Sequence, residues 1–143
     1  MATITSANSE LLLAVNGLFT VPQAIQGYST DEAFTTDAAE PAEVMMGVDG
    51  KMSAGWVPTV TVQSITLQAD STSNAFFDQW DAAEKAAREV YFAQGILRLP
   101  SVGVSYALLN GVLTSIPRML SARKVLQPRQ FRITWESVTV APV

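Results

Sequence analysis

The stretch Val44-Met45-Met46-Gly47-Val48-Asp49-Gly50-Lys51-Met52-Ser53-Ala54-Gly55-Trp56-Val57 sets an Asp-Gly pair between two short runs of strand-forming residues. A two-residue hairpin turn needs positive φ at both central positions, which Asn or Asp followed by Gly reaches at little steric cost. The signature recurs at Asn16-Gly17, between residues 11–15 and 18–21, and at Asn110-Gly111, between residues 106–109 and 112–116. Three such turns predict a largely antiparallel β protein.

Alternation supplies further strands. In Val60-Thr61-Val62-Gln63 the apolar residues are even-numbered, whereas in Ile65-Thr66-Leu67-Gln68 they are odd. Near the C-terminus Phe131, Ile133 and Trp135 give way to Val138 and Val140. Side chains alternate with period two, so each slip predicts a β-bulge or a strand leaving one sheet for another. The one helix is expected over about residues 73–93, with N-cap hydroxyls in Ser71-Thr72-Ser73 and a stop at Gly95. Phe76, Trp80, Ala83, Ala87 and Val90 form one stripe on it, expected to cover a sheet or a barrel mouth. Asp81 with Lys85 and Glu84 with Arg88 are spaced as i,i+4 pairs on the opposite face. The polar, acidic residues 29–41 read as a long loop. No linker divides residues 1–143, so they form a single domain, an antiparallel β-barrel or sandwich with long hairpins and one flanking helix.

Composition narrows the function. The chain has 143 residues, 48% of them hydrophobic and only 15% charged. Disordered chains are poor in apolar residues and rich in charge, so global disorder is excluded. No apolar run approaches the roughly 20 residues of a membrane-spanning helix. The N-terminus has no basic residue ahead of Leu11-Leu12-Leu13, unlike a secretory signal. So low a charge density suggests a surface partly covered by partners. The charge is also segregated: residues 1–50 carry seven acids and no base, whereas residues 98–143 carry six bases and one acid. An acidic patch on one copy can then meet a basic patch on the next, a head-to-tail contact that closes into a ring or propagates.

Catalytic chemistry finds little to work with. There is no Cys and no His, which removes thiolate nucleophiles, the usual general base and the commonest metal ligands. Asp78, Asp81 and Glu84 are close enough for paired-carboxylate work, but nearby Lys85 and Arg88 make a solvated ion-paired face the better reading. Gly47-Val48-Asp49-Gly50-Lys51 lacks the spacing and following hydroxyl of a phosphate loop, and Gly103-Val104-Ser105 lacks the second glycine of a nucleophile elbow. No enzyme activity, cofactor or metal is expected. The chain is acidic overall, with a net charge of −4, so tight DNA binding is not expected either. Trp56, Trp80 and Trp135 would suit a small ligand-binding β domain, although Trp80 and Trp135 fall at core positions of their patterns.

Several stretches carry a resemblance: Gly27-Tyr28-Ser29-Thr30-Asp31-Glu32-Ala33-Phe34, Glu40-Pro41-Ala42-Glu43, Met45 to Ser53, and Ile65 to Ser71. Lys85-Ala86-Ala87-Arg88-Glu89-Val90, Lys124 to Arg129 and Ile133 to Val138 continue it. In this order, over roughly residues 24–140, the sequence resembles the tail tube proteins of contractile-tailed bacteriophages. The resemblance implies a β-barrel or sandwich subunit, six copies to a ring, and rings stacked as a hollow tube inside a sheath. Its implied partners are copies of itself, tail sheath and baseplate proteins, and DNA passing through without specific binding, with no membrane. Its implied place is the virion tail, assembled in the host cytoplasm. The tube of a secretion or contractile injection system is the related alternative. Asp49, Lys51, Arg118 and Arg129 are the candidate inter-subunit contacts, Asp49 and Lys51 at a hairpin tip that meets the neighbouring ring.

Overall fold

The computed structural model describes residues 9–28 and 34–142; the N-terminal residues 1–8 and the first part of the expected loop, residues 29–33, lie outside them. Nine strands and one helix follow in the order β1 (Glu10–Val15), β2 (Phe19–Ala24), β3 (Phe34–Thr36), β4 (Ala42–Met46), β5 (Met52–Trp56), β6 (Thr61–Leu67), α1 (Asn74–Ala87), β7 (Ala93–Leu99), β8 (Val104–Ser115) and β9 (Arg129–Pro142). Seven strands form one antiparallel sheet in the order β2-β1-β7-β8-β9-β6-β3, and β4 and β5 pair only with each other. The expected long loop thus contains a short strand, β3, along β6.

The sheet curls into a sandwich-like shell rather than a closed barrel. Its inner face carries Leu11, Leu13 and Val15 of β1, Ala93 and Leu97 of β7, Ile65 and Leu67 of β6, and Phe131, Ile133 and Trp135 of β9, all buried. Across the opening lies α1, which inserts Phe76, Phe77 and Trp80. The Phe77 ring stacks on Phe131 with centroids 4.2 Å apart, and burying a side chain of that size contributes about 1.5–3 kcal/mol. A strap, residues 25–28, runs between the two ends of the sheet. Its Ile25 amide donates to Leu11 O, and its Gly27 carbonyl accepts from Gln68 N beside a bridge from Tyr28 to Leu67.

Several local expectations fail for identifiable reasons. Ser73 does not cap the helix, because its hydroxyl accepts the Gln26 amide and the Ser71 hydroxyl donates to Gln26 O. Both side chains hold the strap instead. The helix ends early, at Arg88 in the left-handed conformation (φ 57°), and Gly95 lies within β7. Ala83 is only half-buried, Ala87 is exposed, and Val90 lies exposed beyond the helix, so the apolar stripe reaches the core fully only as far as Trp80. The slip in β6 is not a bulge: its register with β9 runs unbroken from Thr61–Trp135 to Leu67–Arg129. Gln63 simply takes an inward position, where its Oε1 accepts the Trp135 indole N–H at 3.0 Å.

Asn110-Gly111 is not a hairpin either. β8 runs straight through it, with a bulge against β7 where Leu108 faces Gly95 and Gly111 faces Ala93. Asn110 takes the positive φ, 51°. Its side chain accepts from Gln94 Nε2 and donates to Glu136, fixing the kink. The inward residues of β8 thereby pass from Tyr106 and Leu108 to Gly111 and Leu113, and β9 changes face in step between Trp135 and Val138. Gly111 has another purpose. A Cβ there would lie 2.5 Å from Trp135 Cε3 and Cζ3, so the glycine makes room for the indole.

Candidate assembly interface

Two surface features stand apart from the core. The first is the β4–β5 hairpin, every residue of which is exposed. Its turn is one residue longer than expected. Gly47 N donates to Lys51 O, Gly50 N donates to Gly47 O, and Gly50 closes a three-residue turn at φ 83°. Asp49 Oδ1 accepts the Lys51 amide at 3.1 Å, so both residues stand exposed at the tip. Opposite pairs on the ladder are Ala42–Trp56, Val44–Ala54 and Met46–Met52. Opposite residues share a face, so one side of the hairpin is wholly apolar. These three pairs alternate with the hydrogen-bonded ones, the positions where cross-strand side chains come closest. Trp56 is 78% exposed and Met46 68%, so nothing among the described residues covers this face. Trp80 and Trp135, by contrast, are completely buried.

The second feature is the connection between β8 and β9, residues 116–128. Its base is pinned to α1 by two arginines. Arg129, only 6% exposed, donates to both oxygens of Asp78 (3.1 and 2.8 Å), contacts Pro117 O and lies over the Phe131 ring. Arg118 donates to both oxygens of Asp81 (2.9 and 3.2 Å). The hydrogen bonds from Arg118 hold the Asp81 carboxyl below the usual carboxylate range. The carboxylates at 78 and 81, expected to face solvent or pair along the helix, therefore tether this loop, and Arg118 and Arg129 are engaged within the chain. Beyond the tethers the loop folds back on itself through an Ala122–Leu126 bridge and a bond from Gln127 N to Ser121 O. Its tip displays Met119, Leu120, Val125 and Leu126, all exposed. Among the described residues, Arg123 and Lys124 have no acidic partner.

Of the eighteen large apolar side chains exposed among the described residues, ten lie on these two features. Residue spacing alone singled out Asp49 and Lys51 and missed the apolar ladder around them. Alternation about Asp49-Gly50 does reveal a uniformly apolar face, but it cannot say whether the rest of the chain covers it.

An open cleft of about 630 Å³ separates the C-terminal half of α1 from the end of β8. Two of its three carboxylates are committed, Asp81 to Arg118 and Glu84 to the Tyr91 amide at 2.9 Å, and the third, Glu89, is exposed. Burial raises the Glu84 carboxyl above its ordinary value, with the Tyr91 N–H opposing. Among the described residues no three acidic side chains cluster as a metal site, and no helix is long and apolar enough to cross a membrane.

Solved structures share the fold. The whole chain aligns with 99% of a chain in the anti-feeding prophage baseplate, at 10% identity and TM-score 0.63. It also aligns with 93% of a chain in the cap that terminates the anti-feeding prophage tube, at 13% identity and TM-score 0.59. In the sheath–tube complex of an extracellular contractile injection system, PVC, the match covers 93% of this chain and 88% of the other, at 12% identity and TM-score 0.56. No curated protein matches in sequence. The family described as Tail fiber protein gp32 matches residues 2–139, nearly the entire polypeptide, and the chain belongs to that family.

Proposed function

We propose that this protein is a structural subunit of a contractile tail whose copies form rings, six to a ring, stacked as the inner tube through which phage DNA leaves. The exposed, wholly apolar face of the β4–β5 hairpin carries the reading. A two-stranded hairpin is at best marginally stable alone in water, and an uncovered apolar strand pair invites association. A role that covers it in every copy resolves both difficulties. The fold shared with chains of a sheath–tube complex and a tube-terminating cap supports this role, and membership of a family described as a tail fiber protein supports a place in the tail. The subunit acts by geometry, as a passive conduit without catalysis, and its acidic balance suits a channel that must release what passes through it.

Electron microscopy and sedimentation of the purified chain over a wide concentration range test the proposal. Rings or stacked tubes are expected, with contacts burying on the order of 2,000–5,000 Å² each. Monomers at every concentration, with or without a tail initiator, would refute it. The same images separate a second reading favoured by the baseplate likeness, in which the chain forms a single terminal ring: such rings would never stack. Capsid and terminase genes beside its own would favour a phage tube over that of an injection system.

A further inference from the structure

We infer that the β4–β5 hairpin of one copy docks on the 116–128 loop of a second copy, its apolar ladder against Met119, Leu120, Val125 and Leu126. The inference rests on the tube reading and names the receiving surface. Charge points to this pairing. Residues 37–51 carry Asp37, Glu40, Glu43 and Asp49 against Lys51 alone, whereas the loop tip offers Arg123 and Lys124 without acidic partners among the described residues. Each feature is the other's complement in polarity as well: an acid-fringed apolar ladder and a base-fringed apolar tip. Among the described residues no hydrogen bond or ion pair joins the two features.

The loop is built to receive. Two forked arginine–aspartate contacts fix its base on α1, and its own backbone bonds hold the tip, so little ordering entropy remains to be lost on docking. Opposite charges at the rim steer the encounter and fix its direction. Hairpin and loop are different surfaces, so the contact is heterologous and each docked copy presents a fresh hairpin or loop to the next.

The absence of cysteine makes a clean test possible. Val48 stands at the hairpin tip and Val125 at the loop tip, both well exposed. The double variant Val48→Cys/Val125→Cys, treated with a bismaleimide under assembling conditions, is expected to give a ladder of covalent multimers. Val48→Cys paired with Val21→Cys, an exposed position on β2, should give none. Arg123→Glu/Lys124→Glu should abolish the ladder, and Glu43→Lys/Asp49→Lys in the same chain should restore it. Tubes that form normally with no ladder would overturn the docking while leaving the tube reading intact. A ladder without rings or tubes would uphold the docking and overturn the tube reading; neither ladder nor assembly would overturn both.

Discussion

Gly111→Ala tests whether the core around Trp135 is as closely fitted as its geometry implies. The added Cβ would sit 2.5 Å from Cε3 and Cζ3 of the indole and 2.9 Å from Ile133 Cγ2, where ordinary contact begins at 3.4 Å. The ring has no room to retreat: Trp135 is fully buried, and its N–H is held by Gln63. Overpacking of this kind costs about 1–3 kcal/mol, and loss of the indole hydrogen bond adds about 1 kcal/mol. Removing a glycine from the unfolded chain returns about 0.4–1 kcal/mol, which leaves a net loss of about 1–3.5 kcal/mol. Urea denaturation followed by tryptophan fluorescence measures it. Gly55→Ala, with open space around its Cβ, is the control and should leave the midpoint unchanged or slightly raised. Combined with Trp135→Phe, Gly111→Ala should cost far less than it does alone, a positive coupling between the two sites. A Gly111→Ala protein as stable as the parent, or costs that add without coupling, would refute the steric account.

Three further outcomes follow from the surface contacts. Arg129→Ala, which removes four hydrogen bonds and the cover over Phe131, should lose about 1.5–3 kcal/mol in urea, whereas Arg118→Ala, at an exposed pair, should be barely measurable; equal losses would contradict the burial difference. Because burial raises the folded Glu84 pKa, its ionisation costs stability that is fully present below the ordinary value of 4.5 and lost as pH rises through the raised one. Glu84→Gln keeps an acceptor for Tyr91 without ionising, so it should raise Tm at neutral pH and leave it unchanged near pH 3; the same shift at both would argue against desolvation. Met45, Met46, Met52 and Met119 are all exposed, so mild peroxide should convert them to sulfoxides without moving the urea midpoint yet slow assembly, as polar groups replace apolar ones. Unchanged assembly kinetics would remove the methionines from the contact.

What the sequence revealed depended on how local each determinant is. Asn16-Gly17 and Asp49-Gly50 mark real hairpins, because turn chemistry resides in the turn itself. Asn110-Gly111 carries the same letters for two unrelated reasons, a bulge that needs positive φ and an indole that needs space, both set by strands distant in sequence. Spacing also paired Asp81 with Lys85, but a guanidinium arriving from residue 118 offers a two-pronged contact that an ammonium one turn away cannot. The candidate interface was half legible. Its charges stood out as segregated blocks, while its apolar face read like any core strand, because alternation reports which residues share a side and not what lies beyond it.

For the ring proposed above, the bulge at Asn110 bears on how many copies would close it. Before it, β9 is flanked by both β6 and β8; after it, residues 137–142 keep β8 alone, leaving roughly 20 Å of backbone unpaired among the described residues. A neighbour that adds a strand along that selvage inherits its heading, and the heading is set where β8 and β9 turn over together. In such a ring the curvature of the wall would follow the grip of Gln94 and Glu136 on one asparagine.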